Sequence, residues 1–234
     1  REPFPPEQVE ALADLIKGIR KRWGIRLAEV KGHEDVDRST FPSDIMSTHY
    51  LQPDGVQRLQ KWGLFEEVAA SGCPPISKGT TTISGVTMPE QPRDPSLPDA
   101  LCPRRYVLDD ILVRAARDAG AEIREGFSVQ EILIEDGAVV GIRGRNADGQ
   151  SVEEPGRVTV GADGLHSMVA RAVNAPEYDT QPAFSCAYYS YFSDVPLDGA
   201  EIYVGEDAGT LAFPTNDGLS CIGVGAPHAY FSTF

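Results

Sequence analysis

The sequence predicts an α/β chain: an open, crevice-forming sheet with helices in its first part and an antiparallel sheet in its last. Three observations carry that expectation. Amphipathic helical patterns at residues 5–23 and 106–119 are interleaved with short apolar runs. The run Val158-Thr159-Val160-Gly161 leads into Ala162-Asp163-Gly164 and then a helix beginning near Ser167. That order of strand, turn and helix places an acid and a flexible glycine where an open α/β sheet presents its ligand crevice. Past residue 178, strand-like stretches follow one another between Gly, Asp and Pro turns, the pattern of an antiparallel sheet.

The elements follow in order. Pro5-Pro6-Glu7 opens the first helix, a proline and an acid both suiting a first turn. Val9, Leu12, Ile16, Ile19 and Trp23 form its stripe, and Gly24 stops it. Lys17, Arg20, Lys21 and Arg22 load its last turns and read as dipole-compensating solvent surface. A short strand is expected at 29–32, then a broken helical segment from Pro53 to Ser71 with Val56, Leu59 and Leu64-Phe65 as core. Residues 72–103 hold seven prolines and read as loop with a short strand at 80–87. A stretch of that length signals a functional excursion or missing partner structure. The helix at 106–119 buries Leu108, Ile111, Leu112, Ala115 and Ala119 and ends at Gly120. Strands are expected at about 121–124, 128–135 and 138–145, the last two joined through the hairpin signal Asp136-Gly137. A polar turn at 146–150, a strand at 157–161, a helix at 164–173 and strands at 183–193, 200–205, 209–213 and 219–225 complete the reading.

Composition narrows the function classes. The formal net charge of −14 excludes broad binding to nucleic acid or to an anionic membrane surface. No run approaches the roughly 18–20 apolar residues that cross a bilayer. Arg1-Glu2-Pro3 begins no secretory signal. Cys73, Cys102, Cys186 and Cys221 are scattered, which suits a reducing cytoplasm and neither a disulfide framework nor a zinc cluster. The absent Met and the end at Phe234 read as truncation points.

The 158–171 stretch, with Gly161-Ala162-Asp163-Gly164, Ser167 and Arg171 in register, closely resembles the second flavin motif of FAD-dependent monooxygenases of the aromatic-hydroxylase fold. Other segments match that family in order, from about Val36 to Pro227. Val36-Asp37-Arg38 through Asp44 is similar to the end of the second Rossmann strand and its loop, where an acid bonds the adenosine ribose; Asp37 is that candidate, with Arg38 beside it. Ser47-Thr48-His49-Tyr50-Leu51-Gln52-Pro53 through Leu64 resembles the segment that runs beside the isoalloxazine. Arg104-Arg105-Tyr106-Val107-Leu108-Asp109 resembles a helix start whose arginine approaches the flavin or its phosphates. A guanidinium can grip an anionic pyrophosphate bidentately. Either arginine could do so, Arg105 being the better placed. Val129 matches a position whose backbone packs near adenine. The resemblance thus implies cofactor-binding roles for Asp37, Arg38, Arg105, Val129, Asp163 and Gly164. It implies FAD as cofactor, NAD(P)H as reductant and a small organic substrate oxidised with oxygen. The substrate would lie against the 183–225 sheet and the 43–52 loop. The cofactor carries that chemistry, so no side chain is named as catalytic, and His49 and His166 read as polar or packing residues.

Two departures accompany the resemblance. No G-x-G-x-x-G loop precedes Asp37, and that loop normally holds the pyrophosphate. The family's third motif would fall beyond Phe234. Residues 1–38 instead resemble the C-terminal part of zinc-dependent N-acetylmuramoyl-L-alanine amidases, through Glu7 to Ile25 and then Val30 to Val36, with His33 at a zinc-ligand position. Catalytic zinc needs about three protein ligands; His33 has no companions, so no metal site is expected. The expected organisation is an amidase-like segment at 1–38, a partial Rossmann-like FAD-binding domain at 39–177 and a partial substrate-domain β-sheet at 178–234. A flavin monooxygenase that is incomplete in this chain is the leading function. An amidase remnant and a non-catalytic fragment or pseudoenzyme are the alternatives.

Overall fold

A proline in the first turn and a left-handed glycine past the last turn bound helix α1, Pro53–Trp62, with Gly63 at φ 72°. Helix α2, Phe65–Ala70, follows it. The computed structural model describes residues 49–89, 94–164, 166–182 and 184–230. The amidase-like segment, Asp37, Arg38 and residues 43–48 lie outside them. The described residues group into two units, one of residues 49–119 and 184–230 and the other of residues 120–182.

In the first unit, short strands β1 (Pro75–Ile76), β2 (Gly79–Ile83), β3 (Val86–Thr87) and β4 (Ala100–Leu101) precede helix α3, Arg105–Asp118. The last stretch of the unit supplies β8 (Ser185–Phe192), β9 (Ala200–Val204), β10 (Gly209–Pro214) and β11 (Ser220–Pro227). The four strands expected after residue 178 therefore form, within a few residues of their expected bounds. They make a sheet of order β3-β2-β9-β10-β11-β8, antiparallel except where β2 runs parallel to β9 from Gly79↔Ala200 to Ile83↔Val204. The excursion at 72–103 thus supplies β2 and β3 to this sheet, while its β1 and β4 pair antiparallel in a separate two-stranded one; the run at 80–87 is two strands joined by a turn at Ser84-Gly85, not one. Gly199 permits the junction. It sits at φ 122°, and a Cβ there would lie 2.5 Å from the Lys78 carbonyl oxygen, to which Ala200 donates a 3.0 Å backbone hydrogen bond.

Alternation along the strands divides the sheet's two faces. Phe213 and Cys221 pack with Ile76, Ala100, Cys102 and Ala200 on one. Ala212 and Ile222 pack with Phe192 and Val195 on the other. A third cluster joins α1, α2 and α3 through Val56, Leu59, Val68, Leu108 and Ile111. Val56 and Leu59 were expected core; Leu64, Phe65 and Leu112 pack around this cluster partly buried, whereas Ala119 is exposed.

In the second unit, β5 (Ser128–Glu135), β6 (Ala138–Arg145) and β7 (Ser151–Pro155) form an antiparallel meander. The Asp136-Gly137 hairpin forms as expected, with both residues at positive φ, 49° and 80°, the backbone of a two-residue primed turn. Helix α4, Met168–Ala172, is shorter than the expected 164–173. Two expected strands do not form. Residues 121–124 and 157–161 have no strand structure, and Val158 and Val160 are 79% and 80% exposed. Alternating valines mark a strand only where a neighbour takes up the backbone hydrogen bonds. Among the described residues none pairs with either run, and the third strand of the meander lies at 151–155.

Candidate functional site

The Gly-Ala-Asp-Gly turn is organised by Asp163 itself. Its Oδ1 accepts a 2.6 Å hydrogen bond from the Ser167 hydroxyl, and its Oδ2 a 2.6 Å bond from the Met168 backbone N–H. The Ser167 hydroxyl oxygen in turn accepts from the Ala170 N–H at 3.1 Å, so Ser167 caps α4. The helix start therefore gives two of its N–H groups, those of Met168 and Ala170, to its own turn. The Ser167 hydrogen bond, together with backbone N–H groups, holds the Asp163 carboxyl below its ordinary range. Asp163 is exposed. An ionised carboxylate offers about four lone-pair positions, so after two bonds it still can accept from hydroxyl groups. Gly161 lets the helix approach: a Cβ there would come within 2.7 Å of the Val169 Cβ. Gly164 takes φ 79°. The Arg171 guanidinium closes the turn through its 2.6 Å bond to the His166 carbonyl.

Val129 belongs to the same unit. It lies in β5 opposite Gly144, beside an irregularity in the pairing. Arg105 belongs to the other unit, where its guanidinium makes a two-pronged contact with Asp109, 2.9 Å from Nε to Oδ1 and 2.7 Å from Nη2 to Oδ2. Its neighbour Arg104 is the buried one, at 8% exposure. The Arg104 guanidinium carbon lies 3.8 Å from the centre of the Tyr191 ring and 5.4 Å from that of Tyr106. The Arg104 backbone N–H donates to Asn216 Oδ1 at 2.8 Å, and the Asn216 amide donates to Ser71 O and Oγ.

His49 is the residue whose surroundings the sequence did not disclose. It is 5% exposed, stands at φ 45°, and bridges the Cys102 carbonyl (3.1 Å from Nδ1) to the Tyr191 hydroxyl (2.8 Å from Nε2). Its ring meets Phe213 edge to face at 5.9 Å. Phe213 also lines an open apolar trough of about 320 Å³ on the same face of the sheet, with Tyr189, Ile202, Leu211, Gly223 and Gly225. No charged side chain lines it. The trough falls on the 183–225 sheet, where the sequence placed a substrate pocket; of the 43–52 loop expected beside it, residues 43–48 lie outside the described residues and residues 49–52 are not among those that line it.

Burial pushes the Cys73 thiol up to about 11 and raises that of Cys102 further, so both are inert protonated thiols at neutral pH. No group of His, Cys, Asp and Glu among the described residues could hold a metal ion.

The profile of the FAD binding domain family matches residues 27–218. Digeranylgeranylglycerophospholipid reductase of Methanosarcina acetivorans is 23% identical over 224 residues, covering 93% of this chain and 47% of that protein. Digeranylgeranylglycerophospholipid reductase 2 of Methanopyrus kandleri is 30% identical over 127 residues, 52% of this chain and 32% of that protein. The chain spans about half, or less, of the length of these relatives. Among solved structures, the myxobacterial chondrochloren halogenase CndH superposes with a TM-score of 0.69 at 24% identity, over 83% of this chain and 47% of that one. PqsL, a probable FAD-dependent monooxygenase from Pseudomonas aeruginosa, gives 0.67 at 17% identity over 83% and 54%. Both share the fold.

Proposed function

The chain belongs to the FAD binding domain family, and from that membership we propose a monooxygenase-type oxidoreductase that oxidises a small organic substrate with NAD(P)H and oxygen. The observation that carries the reading is the family match over residues 27–218, a range that takes in the Asp163 turn and strands β8, β9 and β10. FAD, when bound, supplies the electron transfer and oxygen chemistry. The residues of this chain hold and orient. The ionised, exposed Asp163 fits a role as acceptor for ribose or ribitol hydroxyls, with Gly164 leaving its backbone open. Arg105, Val129, Asp37 and Arg38 complete the proposed cofactor contacts. The trough takes the organic part of the substrate, and its uncharged lining favours an apolar one. The net charge of −14 argues against nucleic acid and anionic membrane surfaces as partners. No helix among the described residues is long and apolar enough to cross a membrane. The four free cysteines fit a cytoplasmic location.

Titration of the purified chain with FAD, followed by quenching of flavin fluorescence, tests this. Micromolar binding that is lost in Asp163→Ala supports it; no binding at high micromolar FAD leaves the chain a flavoprotein relative without the cofactor. Oxygen consumption coupled to NADH or NADPH oxidation then addresses the monooxygenase reading. Reduction of a lipid substrate is the second reading, favoured by the digeranylgeranylglycerophospholipid reductases of Methanosarcina and Methanopyrus. It predicts turnover of a substrate without oxygen uptake.

A further inference from the structure

We propose that Gly209, Gly223 and Gly225 set the specificity of the β8–β11 trough: they leave its floor as bare backbone, on which a flat, uncharged ring system lies face down. The inference rests on the reading of that trough as the substrate site and deepens it to the shape of the substrate. It starts from what the fold asks of each glycine. At Gly199, which has φ 122°, a Cβ would stand 2.5 Å from the Lys78 carbonyl oxygen, so the chain needs glycine there. The three trough glycines meet no such demand. None has a positive φ. An added Cβ would come no nearer than 3.4 Å to the Tyr203 carbonyl oxygen at Gly209, 3.4 Å to the Tyr189 Cβ at Gly223 and 3.7 Å to the Cys186 carbonyl oxygen at Gly225. Those are ordinary contact distances. Glycine weakens a strand interior and marks a bulge, a bend or the close approach of a ligand or another backbone. The pairing of β9, β10, β11 and β8 passes through all three positions without a register shift, which removes the bulge and leaves the close approach.

The register shows the outline of the bare area. Gly209 faces Gly225 across β10 and β11, and Gly225 faces Ala187 across β11 and β8. Gly223 lies two residues from Gly225 and shares its face. Leu211 and Tyr189 stand on either side of Gly223, and Val204 stands beside Gly209. The floor is therefore about 10 Å across three strands and about 7 Å along them, walled by apolar side chains, a space that suits two fused six-membered rings. Both β10 and β11 lie inside the sheet, so their backbone groups bond to neighbours on each side. An apolar face laid over them strands no donor or acceptor. A puckered, saturated frame of the same carbons meets a flat floor at fewer atoms, and dispersion contacts are lost wherever a gap opens.

Two measurements on the full chain test this, neither needing FAD. In the first, naphthalene is titrated into the chain labelled with ¹³C at its glycine α-carbons. A ring lying face down shields the protons beneath it. The Hα signals of Gly209, Gly223 and Gly225, each identified by its loss in the alanine variant, are therefore expected to move upfield. Unmoved or downfield-shifted signals overturn the proposal, as does a failure of naphthalene to bind. The second compares the Kd of naphthalene with that of trans-decalin, which has the same carbon skeleton and no flat face. Naphthalene is expected to bind the more tightly. Gly223→Ala and Gly225→Ala should each weaken it by about tenfold or more, the worth of one methylene-sized change in an apolar pocket, with the urea midpoint unchanged or higher. Tighter binding of decalin, or naphthalene binding undisturbed in both variants, overturns the proposal. So does weakening that comes with a lower urea midpoint, because the glycines would then serve the fold. Failure of FAD to bind sinks the oxidoreductase reading and leaves these outcomes standing.

Discussion

The two units of this chain are held together by different physics. The unit of residues 49–119 and 184–230 buries side chains on both faces of a six-stranded sheet and among three helices, with Phe213, Val56 and Val68 at 1% exposure or less. The unit of residues 120–182 is a three-stranded meander with one short helix, and Ile132 is the only buried apolar side chain among those of its described residues that carry one larger than glycine's. Its surface instead carries Arg124 bonded to Glu122 and Glu154, and Arg143 bonded to Glu131 and Glu153. Exposed ion pairs of this kind add little to stability. The flavin-motif turn lies in this second unit, so its geometry is set by hydrogen bonds among Asp163, Ser167 and Met168 and by the close approach at Gly161. The hydrophobic effect makes the trough, and local polar geometry makes the turn.

Substitutions sharpen that contrast. The largest effect is expected from Phe213→Ala, which empties the centre of the sheet-face cluster and removes the packing of His49 and Tyr50. A fully buried Phe→Ala change costs about 3–5 kcal/mol, read as a lower urea midpoint with an unchanged slope. Gly144→Ala should come second. The added Cβ would stand 2.4 Å from the Phe127 ring and 2.6 Å from the Ser128 carbonyl oxygen, and overpacking of this kind costs about 1–3 kcal/mol. Hydrogen exchange should place that loss in β5 and β6, leaving the amides of β10 and β11 protected. Accelerated exchange across both units would show that they unfold as one. Arg143→Ala should do less than either, an effect already gone in high salt. A salt-insensitive loss as large as that of Gly144→Ala would mean that ion pairs, after all, hold the meander.

The same contrast explains what the sequence could disclose. Local periodicity and turn chemistry sufficed for α1, for α3, for the Asp136-Gly137 hairpin and for β8 to β11, because each is specified by residues close in the chain. The parallel join of β2 to β9 was not legible. Thr80, Thr81 and Thr82 carry no apolar alternation, and their partners lie about 120 residues away. The valines at 158 and 160 misled in the opposite direction, since an alternating pattern expresses a preference that only a paired neighbour can realise. At the candidate site, Asp163 was readable as an acid in a turn after an apolar run. Its bonds to Ser167 and Met168 were implicit in that spacing. The contact of His49 with Tyr191 spans 142 positions, and nothing in Ser47-Thr48-His49-Tyr50 signals it. Between Arg104 and Arg105 the sequence had no basis for telling which is buried, because burial depends on where Tyr191 and Asn216 arrive.

The smallest effect expected is a change in thiol chemistry, and it separates the two units cleanly because all four cysteines lie in the first. Cys73, Cys102 and Cys221 are buried and Cys186 is half-buried, so iodoacetamide at pH 8 should modify Cys186 first and leave the others until the unit opens. Burial raises the Cys73 thiol from its ordinary 9.0 to about 11. The folded chain thus keeps a proton that the unfolded chain releases, and this contribution to stability is complete below about pH 9 and is lost as the pH rises through about 11. Protection of the three buried thiols should weaken over that window. At pH 8 it should weaken in Phe213→Ala, which loosens the cluster containing Cys102 and Cys221. It should be unchanged in Gly144→Ala, whose damage is confined to the meander. Faster modification of the buried thiols in Gly144→Ala would overturn the separation, because it would mean that opening the weakly packed unit also opens the strongly packed one.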